Sequence, residues 1–137
     1  MSGDCHICAT LTGGDPDLVI HDDGTWQVFN VAGVPGWAML APHEHVEGVG
    51  GLSDSQAQQL GPLLQRIGAA VKSATGAQRV HVVYLGDNGL HFHVGFFPRQ
   101  EGEKGLLDNA PMIAEVKARQ DPVAARPLIE AIRAQLG

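Results

Sequence analysis

The chain has 137 residues, with nine Lys and Arg against fifteen Asp and Glu and a formal net charge of -6. That length fits one domain with one core, and the acidic balance argues against a broad basic footprint for nucleic acid or an anionic membrane. No apolar run approaches the roughly 18 to 20 residues of a membrane span, and Met1 to Asp4 lacks the basic-then-apolar pattern of a signal peptide. The expectation is a cytoplasmic protein with no membrane and no nucleic-acid partner; a small phosphorylated ligand, which needs only a few donors, stays open.

Cys5-His6-Ile7-Cys8 opens the chain with two thiols separated by two residues, a spacing that suits two ligands on one tetrahedral metal. Two cysteines this close do not make a secreted disulfide framework, and in a reducing compartment such a pair binds metal or does redox chemistry. Thr12 to Pro16 is turn chemistry. Leu18 to His21 and Trp26 to Phe29 read as strands of a hairpin around Asp22-Asp23-Gly24. Pro35-Gly36 breaks the chain before a short strand, Trp37 to Ala41, which Pro42 ends. His43-Glu44-His45 then reads as a loop.

Ser53 with Gln56 three residues on is a capping box, and Leu60, Leu64, Ile67 and Val71 follow at helical spacing until Gly76. Gly61 and Pro62 fall inside this helix. Arg79 to Leu85 reads as a strand, Gly86 to Gly89 as a tight turn, and Leu90 to Phe97 as the antiparallel partner. Beyond Arg99, Gln100 to Gly105 is polar. Met112 to Gln120 and Val123 to Leu136 are rich in helix formers, with Asp121-Pro122 as N-cap and first helical residue. Residues 1-99 therefore form the main domain, and 100-137 a helical extension of it.

Alternation along Leu90 to Phe97 places His91, His93 and Gly95 on one face and Leu90, Phe92, Val94 and Phe96 on the other. Three chemistries stand beside plainer readings. Cys5 and Cys8 supply half of a zinc site. Among seven histidines, His45, after a strand-ending proline, and His91, which opens the double-histidine strand, are the best completing pair, with His6, His43 and His81 as rivals. The plainer reading is two reduced thiols without metal. His93 suits direct attack on phosphorus, with a covalent intermediate; the plainer reading is a polar side chain on the wet face of a sheet. Arg99 suits a bidentate grip on phosphate or carboxylate, or a surface position. Trp26 and Trp37 read as core or contact residues before base-stacking ones.

Taken in order, Cys5-His6-Ile7-Cys8, Pro35-Gly36, Met39 to Pro42, His45, the capped helix, His91-Phe92-His93 and Pro98-Arg99 resemble the histidine triad family of nucleotide hydrolases and transferases. The resemblance runs from Cys5 to about Arg99. It implies an α+β fold, an antiparallel sheet of about five strands with a long helix packed across it, in a homodimer. It implies that His93 is the nucleophile at the α-phosphate of a nucleotide ester, anhydride or phosphoramidate, and that a structural zinc ion (Zn2+) lies on Cys5, Cys8, His45 and His91. Pro98-Arg99 fixes the register, so Gly95 takes the third histidine's place and removes a side-chain donor there. Asn88 is the candidate replacement donor in a turn shorter than the family's loop, where Asp87 stands in place of a neutral residue. Asn30 lies nearest the ribose-binding position, and Trp37 replaces a histidine. The competing expectation is a catalytically impaired nucleotide-binding protein on the same fold; a redox protein lacks the βαβ context.

Overall fold

A computed structural model of the protein describes residues 5-84, 86, 90-103 and 112-137. Its frame is a five-stranded antiparallel sheet in the order β1-β2-β3-β5-β4. The strands are β1 (Val19–Asp22), β2 (Trp26–Asn30), β3 (Ala38–Pro42), β4 (Arg79–Val83) and β5 (Val94–Arg99). The β1-β2 turn forms because Asp23 accepts hydrogen bonds from the Thr25 and Trp26 amides at 2.9 and 2.7 Å, a local carboxylate turn.

Helix α1 (His6–Gly13) precedes the sheet, and α2 (Asp54–Thr75) links β3 to β4. The capping box is present at Ser53 and Gln56, and Gly76 ends α2 in the left-handed conformation at φ 66°, where a side chain would be strained. The helix continues through Pro62. After β5 come α3 (Met112–Arg119) and α4 (Pro122–Leu136), the latter capped by Asp121 with proline at its start.

The two faces of the sheet are buried differently. On one, Ile20, Val28, Leu40, Val94 and Phe96 meet Leu63, Ile67 and Val71 of α2 and Ala125, Ile129 and Ile132 of α4 in one core. On the other, α1 lays Ile7 and Leu11 against Phe29 and Ala41. The long helix across a five-stranded sheet and the two C-terminal helices agree with the sequence reading. No helix among the described residues is long and apolar enough to cross a membrane.

The main correction concerns the histidine strand, expected from Leu90. Paired strand begins only at Val94, and residues 90-92 join the segment after His45 instead. The Phe92 amide bonds to the Val46 carbonyl at 2.7 Å, the Gly48 amide bonds to the Leu90 carbonyl at 3.2 Å, and Glu47 bridges His91. Leu90 is consequently exposed, at 65%, whereas His91 is fully buried. The expected alternation assigned Leu90 to the apolar face that packs on the core, and His91 to the opposite face with His93. It fails because the backbone leaves the ladder to deliver His91 elsewhere. The first strand also starts one residue late, because Pro16–Leu18 forms a short 3-10 turn. Of the expected turn 86-89, only Gly86 lies among the described residues.

Candidate functional site

The helical start at Cys5, which the sequence reading left unassigned, places both thiols together. Cys5 is the N-cap of α1, its Sγ accepting the Cys8 amide at 3.3 Å. Residues three apart on a helix are neighbours, so Cys5 and Cys8 project from the same end. The anchor formed by Ile7 and Leu11 aims that end at the loop after β3 and at His91.

Cys5 Sγ, Cys8 Sγ, His45 and His91 each offer one ligand atom, and these four atoms lie within 4.8 Å of one another. The Nδ1 of His91 is 3.6 Å from Cys5 Sγ and 3.3 Å from Cys8 Sγ, and the Nδ1 of His45 is 3.4 Å from Cys8 Sγ. A tetrahedron with metal-sulfur bonds of about 2.3 Å and metal-nitrogen bonds of about 2.0 to 2.1 Å has sulfur-nitrogen edges of about 3.5 Å. Three of the four sulfur-nitrogen edges of the cluster are already close to that length.

The outer nitrogens fix the tautomers. His91 Nε2-H donates to the Pro42 carbonyl at 2.7 Å, and His45 Nε2-H donates to Glu47 at 3.1 Å. Both Nδ1 lone pairs then face the thiols, the arrangement in which a carbonyl or carboxylate orients a metal-ligating imidazole. Burial holds the His91 pKa down, so the ring is neutral as a ligand must be, whereas the Glu47 carboxylate raises His45. Burial pushes both thiols up. At Cys5 the hydrogen bonds from the Cys8 amide, the Cys8 thiol, His45 and the Ile7 amide together outweigh burial, and the thiol ends lowered; at Cys8 the Cys5 thiol adds to burial. Cys5 is thus the readier thiolate, and a divalent cation beside both favours loss of the second proton. Two soft thiolates and two imidazoles are a donor set suited to zinc. Of the rivals, His43 pairs with Asp22 at 2.9 Å, His81 lies on β4, and neither they nor His6 join the four.

His93 is half-buried, and its Nδ1 lies 2.7 Å from the His91 carbonyl. Carbonyl oxygen only accepts, so Nδ1 carries the proton and Nε2 keeps its lone pair. In the neutral ring the unprotonated nitrogen is therefore Nε2. His91 has two tasks, its ring in the cluster and its carbonyl on His93.

At Gly95 a side chain has no room. A Cβ there would lie 2.7 Å from Phe97 Cε2 and 3.3 Å from Cε1. Phe97 packs edge-on against Trp37 with ring centroids 4.7 Å apart, among Val34, Val31, Val83 and Val116. The Arg119 guanidinium lies 5.7 Å from the Trp37 ring centre and is paired with Glu103 and Glu115 at 3.0 and 3.2 Å. The space beside Gly95 is filled by an aromatic ring.

Two expected ligand residues have partners within the chain. Asn30 is buried, its Nδ2 donating to the Val34 and Trp37 carbonyls at 2.8 and 3.0 Å and its Oδ1 accepting the Gly33 amide at 2.8 Å. Its amide ties the 31-37 loop. Arg99 gives Nε and a terminal nitrogen to the Glu103 carbonyl at 3.1 and 2.9 Å. Six residues along an extended strand span about 20 Å, so Arg99 is remote from His93 and fixes the turn after β5. Asn88 lies outside the described residues.

The sequence reading missed Glu47, Phe97 and Arg119. Glu47 stands two residues after a ligand histidine. Phe97 continues the His93-Gly95 face by one further alternation, an aromatic covering a strand glycine. Arg119 carries no comparable local signal, because it reaches Trp37 only through the tertiary fold.

No family model matches the sequence, and no curated protein matches it. Solved structures do. A Hit-like protein involved in cell-cycle regulation from Bartonella henselae superposes with a TM-score of 0.76 at 16% identity, covering 98% of each chain. A zinc-bound histidine triad family protein from Mycobacterium smegmatis gives a TM-score of 0.73 at 21% identity, over 99% of this chain and 97% of that one. A hypothetical histidine triad nucleotide-binding protein from Sulfolobus tokodaii strain 7 gives 0.73 at 16% identity, over 96% and 91%. The fold is that of the histidine triad proteins, and the likeness extends through the C-terminal helices that the sequence resemblance left out.

Proposed function

We propose that this chain is a histidine triad protein that binds a nucleotide conjugate and transfers its nucleotidyl group through His93. The observation that carries this reading is the 2.7 Å contact from His93 Nδ1 to the His91 carbonyl, which leaves Nε2 as the free base. A nucleophile held in one tautomer beside a rigid cluster needs little reorganisation to attack the α-phosphorus. The Nε2 lone pair forms the bond to phosphorus, and the leaving group departs with its bonding pair. Water or another acceptor then breaks the nitrogen-phosphorus bond, and its pair returns to Nε2.

Cys5, Cys8, His45 and His91 would hold a zinc ion, which supplies a structural crosslink between α1 and the segment carrying His93. A reducing, cytoplasmic setting keeps the thiols available for it. The edge strand β4 leaves Val82 49% exposed and, among the described residues, one row of backbone groups without a neighbouring strand, which supports pairing with a second copy of the chain.

Incubating the protein with adenylated and guanylated conjugates and measuring intact mass tests the assignment. The expected result is a nucleotidyl adduct and turnover, both abolished in His93→Ala. Nucleotide binding without adduct or turnover would instead establish the second reading, a binding protein. That reading is favoured by one observation, the Phe97 ring in place of a donor at Gly95.

A further inference from the structure

His93, Gly95 and Phe97 alternate along one face of the chain, so position 95 is the next site along the strand from the attacking imidazole. Its cross-strand neighbours share its face: Met39 on β3 and Val83 on β4. Above it lies the Phe97 ring, which is itself buried at 4% exposure. Glycine, thioether, isopropyl and phenyl carry no proton to give. His81 lies opposite Phe97, two positions further along β5 from His93 than Gly95 is.

The consequence falls on the leaving group. A positioned proton donor is typically worth about 10² to 10⁴ in rate, and where none stands the leaving group's own basicity decides. A carboxylate, whose acid has a pKa of about 4, departs unprotonated. So does a phosphate, with a second pKa of about 6. An alkyl amine, with a pKa of about 10.4 when it resembles a lysine side chain, must acquire a proton as the phosphorus-nitrogen bond breaks.

Building on the nucleotidyl-transfer reading, we propose that Gly95 and Phe97 make this chain selective for nucleotide anhydrides, whose leaving group departs as an oxyanion, over phosphoramidates. In the selected step the His93 Nε2 lone pair bonds to the α-phosphorus. The bond from phosphorus to the bridging oxygen breaks, its electron pair stays on that oxygen, and the proton on Nδ1 stays there, hydrogen-bonded to the His91 carbonyl. No proton changes hands. With a phosphoramidate the departing nitrogen requires one, and the described side chains around position 95 do not offer it.

The test compares three donors of the same adenylyl group: an acyl adenylate, a dinucleoside polyphosphate and an alkylamine phosphoramidate. Rapid quench and intact mass follow adduct formation on His93. Both anhydrides are expected to load the wild-type protein at least about 100-fold faster than the phosphoramidate. Gly95→His combined with Phe97→Ala makes room for a donor and is expected to shrink that preference about 10-fold or more. Gly95→His with Phe97→Leu serves if the first pair does not fold, as judged by circular dichroism. Equal loading from all three donors in the wild type would overturn the selectivity and leave nucleotidyl transfer standing. A folded double variant that keeps the full preference would overturn its assignment to these residues. Adduct from none of the donors would overturn the transfer reading, and this proposal with it.

Discussion

Replacing Gly95 by alanine adds one methyl group where the structure has the edge of an aromatic ring. The new Cβ would sit 2.7 Å from Phe97 Cε2, about an ångström inside the optimal carbon-carbon separation of roughly 3.5 to 4.0 Å. The ring cannot swing out freely, because Trp37 stands against it with centroids 4.7 Å apart. Inserting a methyl into such packing costs about 1 to 3 kcal/mol. For a domain of this size the loss lowers Tm by roughly 4 to 12 °C at about 4 °C per kcal/mol. The assay is urea and thermal unfolding of the metal-loaded protein, as the single variant, as Phe97→Leu, and as the pair. If ring and methyl collide, shrinking the ring relieves the clash, and the double variant is more stable than the sum of the singles by about 0.5 to 3 kcal/mol. A Gly95→Ala protein as stable as wild type, or strict additivity, would refute the packing argument.

Cys8→Ala removes the sulfur nearest both imidazoles; elemental analysis is expected to fall from about one zinc per chain in wild type to well below that, because structural sites need all four ligands. Arg119→Ala removes the guanidinium over Trp37 and both carboxylate pairs, and is expected to cost about 1 kcal/mol, decreasing as salt is raised. Glu103 is held below its ordinary range, first by the Gln100 amide and then by Arg119, against the opposing effect of burial. A depressed carboxylate stabilises the fold above its unfolded pKa of about 4.3 and loses that contribution as pH falls through the folded value. The urea midpoint should therefore fall on acidification below that range, less steeply in Glu103→Gln. Ser53→Ala removes the N-cap of α2 and should lower stability by about 1 kcal/mol, read by the same unfolding curves.

The parts of this fold that the sequence displays are those whose cause is local. The α2 helix was legible at both ends because Ser53, Gln56 and Gly76 act on backbone groups within four residues of themselves. The four metal ligands were legible for a different reason: thiols and imidazoles are few, and their order along the chain matches a known arrangement. What failed was alternation at Leu90 and His91. Period-two reasoning assumes that an extended segment stays in its sheet, and here His91 bridges Glu47 outside the ladder, with Leu90 left in solvent. The partners of Asn30 and Arg99 were hidden for the same reason, since they are set by the tertiary fold. A carboxamide or guanidinium advertises donors in sequence, but the carbonyls that take them belong to the 31-37 loop and to Glu103. Phe97 lay within reach of the alternation argument, had it been carried one step past Gly95.

The seating of α4 bears on how the protein comes into being on the ribosome. Ala125, Ile129, Ile132 and Leu136 are buried in the same core as Ile20, Leu63 and Ile67. Arg133 donates to the Val19 carbonyl across 114 residues of sequence, and Arg66 to the Leu136 carbonyl across 70. A nascent chain that has released every strand and the long helix still lacks one wall of its interior. Contacts of such separation form late, since a large loop must close before they are made. During that interval the apolar surfaces of β1 and α2 are open to chaperones or to another nascent copy. Slowing translation ahead of residue 122 would prolong that exposure, so the yield of native protein is tied to the pace at which the helix Pro122–Leu136 emerges.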